Sequence, residues 1–347
     1  MVLTRKTPTI QDVALRAQVS SATVSRVLSA PERVSEKTRE RVNAAVRDTG
    51  YSINQAARSL RMKTARTLLM VAPNIGNPFY SVILDAVIDE AQKRGYGVLV
   101  GTNIGLDPGR WLTDYLLSTR ADGLLLFHGG LDPEDLHTFA REEGISLPVV
   151  ASYDEPPAPL VTSVVTDNRA AAARAVRYLM QLGHTKIGHL AGPVRNNRPN
   201  ERLLGFEEAM TAANLPLNPA WILPGNYDQP GGIAAARAIL ALTERPTAMF
   251  CGNDESAFGF IHGLREGGVE CPRDISVIGF DDVGQAEIYH PTLTTMRQPR
   301  EDLGRVATRR LIDIIEKRET PTDPVHVVLP AELIIRESTR ALDSSGR

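Results

Sequence analysis

Apolar residues recur along this chain in two rhythms. Over the first fifty residues they return every three or four positions. Ile10, Val13, Ala14 and Ala17 share one face of a helix that Thr9 opens, with Asp12 three positions on as a weaker form of the capping box. Gln18-Val19-Ser20 breaks that face, and Ser20 is a good N-cap for a second helix with Val24, Val27 and Leu28 inward. Ala30-Pro31 ends the second helix. Ser35 caps a third, which runs to about Thr49 with Val42, Ala45 and Val46 inward and Gly50 as its stop. From Thr67 onward the rhythm changes, and short apolar runs alternate with helical stretches. Strands are expected at residues 68–72, 98–101, 123–127, 149–152, 163–165, 187–191, 248–251 and 276–280. Helical patterns lie between them at 80–94, 170–182, 202–213, 231–241 and 256–266. This alternation predicts parallel sheets with helices on both faces. Ligands in such sheets sit outside the carboxyl ends of the strands.

Three short helices with a tight turn between the first two follow the helix-turn-helix plan. Its second helix lies in the major groove and presents its N-terminal residues to base edges. Ser20, Ser21, Ala22, Thr23, Ser25 and Arg26 are then the residues beside DNA. Arg26 can fork onto guanine O6 and N7, and Ala22 can touch a thymine methyl. The hydroxyls of Ser21, Thr23 and Ser25 can reach phosphates or bases. Charge supports this placement. The formal net charge is only −2, yet residues 1–66 hold 13 Lys/Arg against 5 Asp/Glu, and the remainder holds 26 against 36. A basic head on an acidic body is expected where one end meets a polyanion.

At 347 residues the chain has room for two or more domains of about 150 residues each. No apolar run reaches the ~18 residues that would argue a membrane span. The start, MVLTRKTPTIQDV, lacks the apolar core of a secretory signal, so a cytoplasmic location is expected. Cys251 and Cys271 match no zinc or redox spacing. Phosphate-cradling loops of the G-x-x-x-x-G-K-[ST] and G-x-G-x-x-G kinds are missing, as is a G-x-S-x-G nucleophile elbow. His184 and His189 do not have the H-E-x-x-H spacing and are read as structural. Trp111 and Trp221 are read as packing residues. No enzyme activity, cofactor or metal is expected.

The segments TIQDVALRAQVSSATVSRVL (9–28) and VSEKTRERVNAAVRDTGYSINQAARSL (34–60) are dense and collinear. They resemble the DNA-binding head of the lactose/galactose repressor family (LacI/GalR). The resemblance continues through NPFY at 77–80, TDN at 166–168, RLLGF at 202–206, PTAMFCGND at 246–254 and ISVIGFDD at 275–282. It implies a small all-α helix-turn-helix domain (1–51), a hinge helix and linker (52–65), and a two-lobed α/β body resembling periplasmic binding proteins (66–347). The first lobe would take about 66–165 and 296–324, the second about 166–295 and 325–342. By the same resemblance, positions matching Ser21, Ala22 and Arg26 read bases. The hinge residues Asn54, Ala57 and Leu60 meet DNA, with Leu60 wedged into the minor groove at the operator centre. Physics supports that hinge independently. A segment as short as 54–60 falls below the ~12–15 residues a lone helix needs in water, so it should order only on DNA beside its twin.

The resemblance further implies a homodimer on a pseudo-palindromic operator and a small-molecule effector, a sugar or sugar derivative, in a cleft between the lobes. Phe79, Asp167, Arg202, Tyr227, Asn253 and Asp281 would line that cleft. Carboxylates and amides suit sugar hydroxyls, and aromatic rings cover apolar ring faces. Asn168 and Asp282 read equally well as helix caps. Arg195 and Arg198 raise the choice between a neutral and an anionic ligand. The alternative class is a small-molecule-binding protein of periplasmic type, against which the basic head argues. Two departures stand out. DSSGR after Leu342 is too short for an apolar heptad, so tail-mediated tetramers are not expected, and Trp111 stands where relatives commonly carry an acidic residue.

Arg26→Ala is expected to weaken specific DNA binding by about 1–3 kcal/mol and to relax preference at one base pair per half-site. Binding selections on randomised duplexes check this. An unchanged preference would mean that the second helix does not read the groove as placed here.

Overall fold

A computed structural model describes residues 8–51, 64–102, 120–127, 133–142, 144, 147–152, 161–193, 200–317 and 324–342. The chain divides into two compact units, Met1–Ala65 and Arg66–Arg347. In the first unit, α1 (Ile10–Ala17) starts on a reciprocal cap. The Thr9 backbone N–H donates to Asp12 Oδ2 (2.7 Å) and the Asp12 N–H to Thr9 Oγ1 (3.4 Å). Gln18 ends α1 in the left-handed conformation, φ 53°. Ser20 caps α2 (Ser21–Ser29) by accepting from the Thr23 N–H. Ser35 precedes α3 (Glu36–Thr49), but its hydroxyl meets that of Thr38 at 3.0 Å instead of capping the backbone. Val13, Ala14, Ala17, Val24, Val27, Val42 and Ala45 close the core. Arg16 ties α1 to Asp48 of α3 at 3.0 Å.

The second unit opens with β1 (Thr67–Val71), α4 (Pro78–Lys93), β2 (Gly97–Gly101), β3 (Gly123–Leu126), α5 (Pro133–Glu142), β4 (Val149–Ala151) and β5 (Thr162–Thr166). It continues with α6 (Asn168–Gln181), β6 (Ile187–Leu190), α7 (Glu201–Ala212), β7 (Ile222–Leu223), α8 (Gln229–Leu240), β8 (Ala248–Cys251) and α9 (Asp254–Glu266). β9 (Ser276–Asp281), β10 (Thr294–Arg297), α10 (Arg300–Ile315), β11 (His326–Leu329) and β12 (Glu332–Ile334) complete it. Two six-stranded sheets result, ordered β11-β5-β4-β3-β1-β2 and β12-β10-β9-β8-β6-β7. Every neighbouring pair is parallel except β10 and β12. Each sheet with its helices is one lobe.

The chain passes between lobes three times. The first passage follows Thr166. The second comes after β10, whose pairing with β9 holds it in the second sheet through Arg297. The third comes at Pro330, because β11 pairs with β5 through Leu329↔Thr166. The boundaries expected at 296 and 325 are corrected accordingly, since backbone ladders decide which lobe owns a strand.

α10 returns to the first lobe and packs on α4. Leu303, Ala307, Leu311 and Ile312 meet Ile83, Val87 and Ala91 in the core. The helices leave no room at Gly304, where a Cβ would lie 2.6 Å from the Ile83 carbonyl oxygen. In the second lobe, His189 stacks between Phe206 and Phe250 at 5.2 and 4.9 Å and donates from Nδ1 to the Phe250 carbonyl at 2.8 Å. Burial pushes its pKa down to about 4, so it packs as a neutral ring. Trp221 is buried and donates to the Glu244 carbonyl at 3.3 Å. Trp111 lies outside the described residues.

Gly304→Ala is expected to force α10 and α4 apart and to destabilise the body by about 1–3 kcal/mol. Thermal melting followed by circular dichroism checks this. An unchanged midpoint would mean the two helices tolerate the extra carbon.

Candidate functional site: the interlobe cleft and the exposed face of the second helix

Parallel strands deliver the chain to helix N-termini at one end of each sheet, and those ends converge. Asn77 accepts from the Phe79 N–H at 2.9 Å, and Pro78 occupies the first position of α4. That start places Phe79 and Tyr80 edge to face, 5.0 Å apart at 85°. Asn200 caps α7 through the Arg202 N–H (2.8 Å), and Asp228 caps α8 through the Gly231 N–H (2.8 Å). Asn253 caps α9 through the Ser256 N–H at 3.0 Å and donates from Nδ2 to the Tyr227 carbonyl at 3.1 Å. Together these residues surround a cavity of about 230 Å³. Asn74, Phe127, Ser152, Thr166 and Asn168 also line it. The size is below the roughly 300–1,000 Å³ usual for ligand sites.

Arg202 is the centre of the cavity wall and is only 3% exposed. Its Nε donates to Asn168 Oδ1 at 2.9 Å, and its Nη1 donates to the Gly252 carbonyl. The guanidinium lies 3.8 Å from the centre of the Phe280 ring and 5.2 Å from that of Tyr227. Asp281 supplies the countercharge at 3.9 Å. A polar relay extends from it: Gln298 Nε2 donates to Asp281 Oδ1 at 2.7 Å, and the Thr166 hydroxyl donates to Gln298 Oε1 at 2.6 Å. Thr166 ends a first-lobe strand and Asp281 ends a second-lobe strand, so this relay ties the lobes together.

The turn after β9 is held under strain. Asp281 and Asp282 both have positive φ, 118° and 56°. Arg297 Nε at 2.6 Å and Arg336 Nη2 at 2.8 Å hold the Asp282 carboxylate. The Val283 N–H and the Thr295 hydroxyl donate to buried Asp254 at 2.9 and 2.6 Å. Burial, and then the neighbouring Asp281 charge, hold the Asp254 carboxyl well above the usual carboxylate range.

The structure therefore brings Phe79, Arg202, Tyr227, Asn253 and Asp281 around one cavity. Asp167 is not among the lining residues. It caps α6 through the Ala170 N–H at 3.0 Å, while the next residue, Asn168, faces the cavity and holds Arg202. Asp167 thus stands one residue before the lining residue Asn168. Sequence reasoning missed Thr166 and Gln298, which carry the interlobe relay, and the capping asparagines Asn77 and Asn200. A polar side chain ending or directly following a strand, or preceding a helix, was the available signal for these. In the head, Ser21 and Ala22 are exposed at the start of α2 and Arg26 in its last turn, and Ser20 and Thr23 join hydroxyls at 2.9 Å. Asn54, Ala57, Leu60, Arg195 and Arg198 lie outside the described residues. Among the described residues, no helix is long and apolar enough to cross a membrane and no acidic, histidine or cysteine cluster could hold a metal ion.

A helix-turn-helix unit joined to a two-lobed body with a polar interlobe cavity defines a ligand-responsive regulator class. Comparisons with known proteins agree. Residues 9–54 match the lacI family of bacterial regulatory proteins, and residues 176–339 match a periplasmic binding protein-like domain. The chain is 36% identical over 337 residues to the HTH-type transcriptional repressor CytR of Escherichia coli strain K12, covering 96% of this chain and 97% of the relative. It is likewise 36% identical to the HTH-type transcriptional repressor PurR of Escherichia fergusonii, over 90% of this chain and 92% of that protein. The solved lac repressor dimer bound to operator and the anti-inducer ONPF superposes with a TM-score of 0.85 at 29% identity, covering 97% of this chain and 100% of that one. The chain belongs to the lacI family of bacterial regulatory proteins.

Arg202→Met is expected to destabilise the body by about 3–5 kcal/mol, because it strands the buried Asp281 carboxylate. Adding Asp281→Asn should recover part of that loss. Melting curves of the two variants check this, and equal loss in the double variant would show that Asp281 is not the partner that matters.

Proposed function

We propose that this protein is a cytoplasmic transcriptional repressor, without enzymatic activity, that binds a pseudo-palindromic operator as a homodimer. Ser21, Ala22 and Arg26 read the major groove, with Ser20, Thr23 and Ser25 beside them. Asn54, Ala57 and Leu60 form the hinge contact in the minor groove. Kinship with CytR, PurR and the operator-bound lac repressor supports this reading, as does the exposed start of α2 on a basic head.

The effector is a small, neutral, polar metabolite held between the lobes by Phe79, Arg202, Tyr227, Asn253 and Asp281. One observation carries the choice of a neutral ligand. Among the described lining residues the charged ones are Arg202, Asp228 and Asp281, and Arg202 already faces Asp281. An anionic group would meet two carboxylates and a guanidinium that is already partnered. A neutral ring bearing hydroxyl or amide groups instead meets aromatic faces, amides and hydroxyls. The ligand acts only through its differential affinity for the DNA-competent and DNA-incompetent arrangements of the lobes.

Thermal-shift measurements against neutral sugars, sugar acids, sugar phosphates, nucleosides and purine bases test the effector. A ligand at about 100 times its Kd adds about 2.7 kcal/mol and moves the midpoint visibly. A neutral hit that also changes affinity for a duplex selected from a random library is expected, by about 5–150-fold. A sugar acid or phosphate that outcompetes its neutral counterpart would overturn the neutral reading.

A further inference from the structure

Two helices begin at the cleft and end at one residue. Phe79, Tyr80 and Ile83 of α4 and Leu303 of α10 line the cavity. The helices then run side by side in the same direction. Contacts mark the path: Gly304 against the Ile83 carbonyl, Arg309 Nε on Glu90 at 3.1 Å, and Arg94 Nη2 on Asp313 at 3.1 Å and on Glu316 at 2.6 Å. Sixteen residues of α10 span about 24 Å. Parallel helices bring two partially negative C-terminal ends together, and cations there offset the repulsion. Arg94 is one such cation, and Arg66 is the other.

Arg66 is the first residue of the body, at φ 50°. Its N–H donates to Asp122 at 2.6 Å, and its carbonyl accepts from the Gly97 N–H at 2.8 Å. Its guanidinium donates to the Arg94 carbonyl at 3.4 Å, pairs with Glu316 at 3.5 Å and lies 5.0 Å from the centre of the Tyr96 ring. The opposite end of α10 is fastened to the second lobe. Arg300 donates to the Asp282 carbonyl at 2.7 Å, on the strained turn that also carries Asp281.

We propose that α10, braced by α4, is a rod that carries the position of the second lobe's Asp281–Asp282 turn to Arg66, making Arg66 and Glu316 positioning residues for the segment that joins body to head. A shift of that turn pulls on Arg300. The close seam at Gly304 lets α10 move only with α4 or by sliding along it. Either movement changes how Glu316 and the Arg94 carbonyl hold the Arg66 guanidinium. Arg66 is the residue through which that change reaches the junction of the two units. This rests on the regulator reading above, because it concerns how the cleft of that regulator reaches its DNA-binding end.

The test is amide exchange by mass spectrometry on the full chain, read at peptides containing the Arg66 and Gly97 amides. Arg300→Ala should speed exchange at both by about fivefold or more, although it lies at the far end of α10. Glu316→Gln should do the same, and the double variant should add nothing further. Arg305→Gln, on the exposed side of α10, should change neither. No effect of Arg300→Ala, or full additivity in the double variant, would overturn the rod. In a second measurement, Arg66→Gln should change affinity for a duplex selected from a random library, with Arg66→Lys restoring it and with melting midpoints unchanged. An affinity change that tracks the midpoint would make Arg66 merely structural and overturn its positioning role. If wild type selects no duplex, the regulator reading fails, while the exchange data still decide the rod.

Discussion

A guanidinium cannot be taken out of water without partners, and Arg202 is almost completely out of water. The surrounding residues answer that requirement. Asn168 comes from the start of α6, the Gly252 carbonyl from the turn after β8, Asp281 and the Phe280 ring from the end of β9, and the Tyr227 ring from the segment before α8. The cation is tolerated only if these groups meet it in good geometry. The first-turn position of Arg202 follows from the Asn200 cap, so a local helix start determines where the charge sits. The partners of Asp281 then pass the constraint onward through Gln298 to Thr166 in the other lobe. One buried charge thereby fixes the geometry of the cavity wall and the contact between lobes.

Much of this was legible in the chain. The alternation of short apolar runs and helical patterns marked the strands at 68–72, 123–127, 187–191, 248–251 and 276–280 close to where they lie, because parallel core strands are apolar on both faces. The Thr9 and Ser20 caps were legible because a cap is a local hydrogen bond between near neighbours. Gln298 and Thr166 were not. They are 132 residues apart, and neither has a motif around it that names the other. The Asp167–Asn168 pair shows a different limit. Both residues follow a strand and both can cap a helix, and only the turn's geometry decides that Asp167 takes the backbone N–H while Asn168 turns toward Arg202. Asp281 was legible as a carboxylate at a strand end, but the positive φ it shares with Asp282 was not, and the arginines that hold Asp282 there, Arg297, Arg336 and Arg300, come from other segments.

The same crossings that hid these partners also tie the lobes together. Three connections join them, and the one between β10 and α10 carries two polar side chains that reach both sides. Gln298 sits between β10 and α10, with one end of its amide on each lobe. Two residues later Arg300 reaches back to the Asp282 carbonyl. Packed interfaces of this kind move as units and do not deform smoothly, because interior packing leaves few voids to absorb a displacement. A ligand that alters the spacing of Asp281 and Arg202 therefore displaces a crossover that is also the start of a long helix. The short bonds at that helix start favour transmission over local relaxation. A rearranged side chain would leave a buried carboxylate or carbonyl unpaired, at a cost of about 1–3 kcal/mol for each group. Shifting the helix keeps those bonds and transfers the adjustment to its far end, where Glu316 and Arg94 meet Arg66 with partial exposure to solvent. Water can replace contacts there at little loss. The interactions are thus strongest at the cleft and most exchangeable where the body begins, which is the order required of a device that senses at one end and yields at the other.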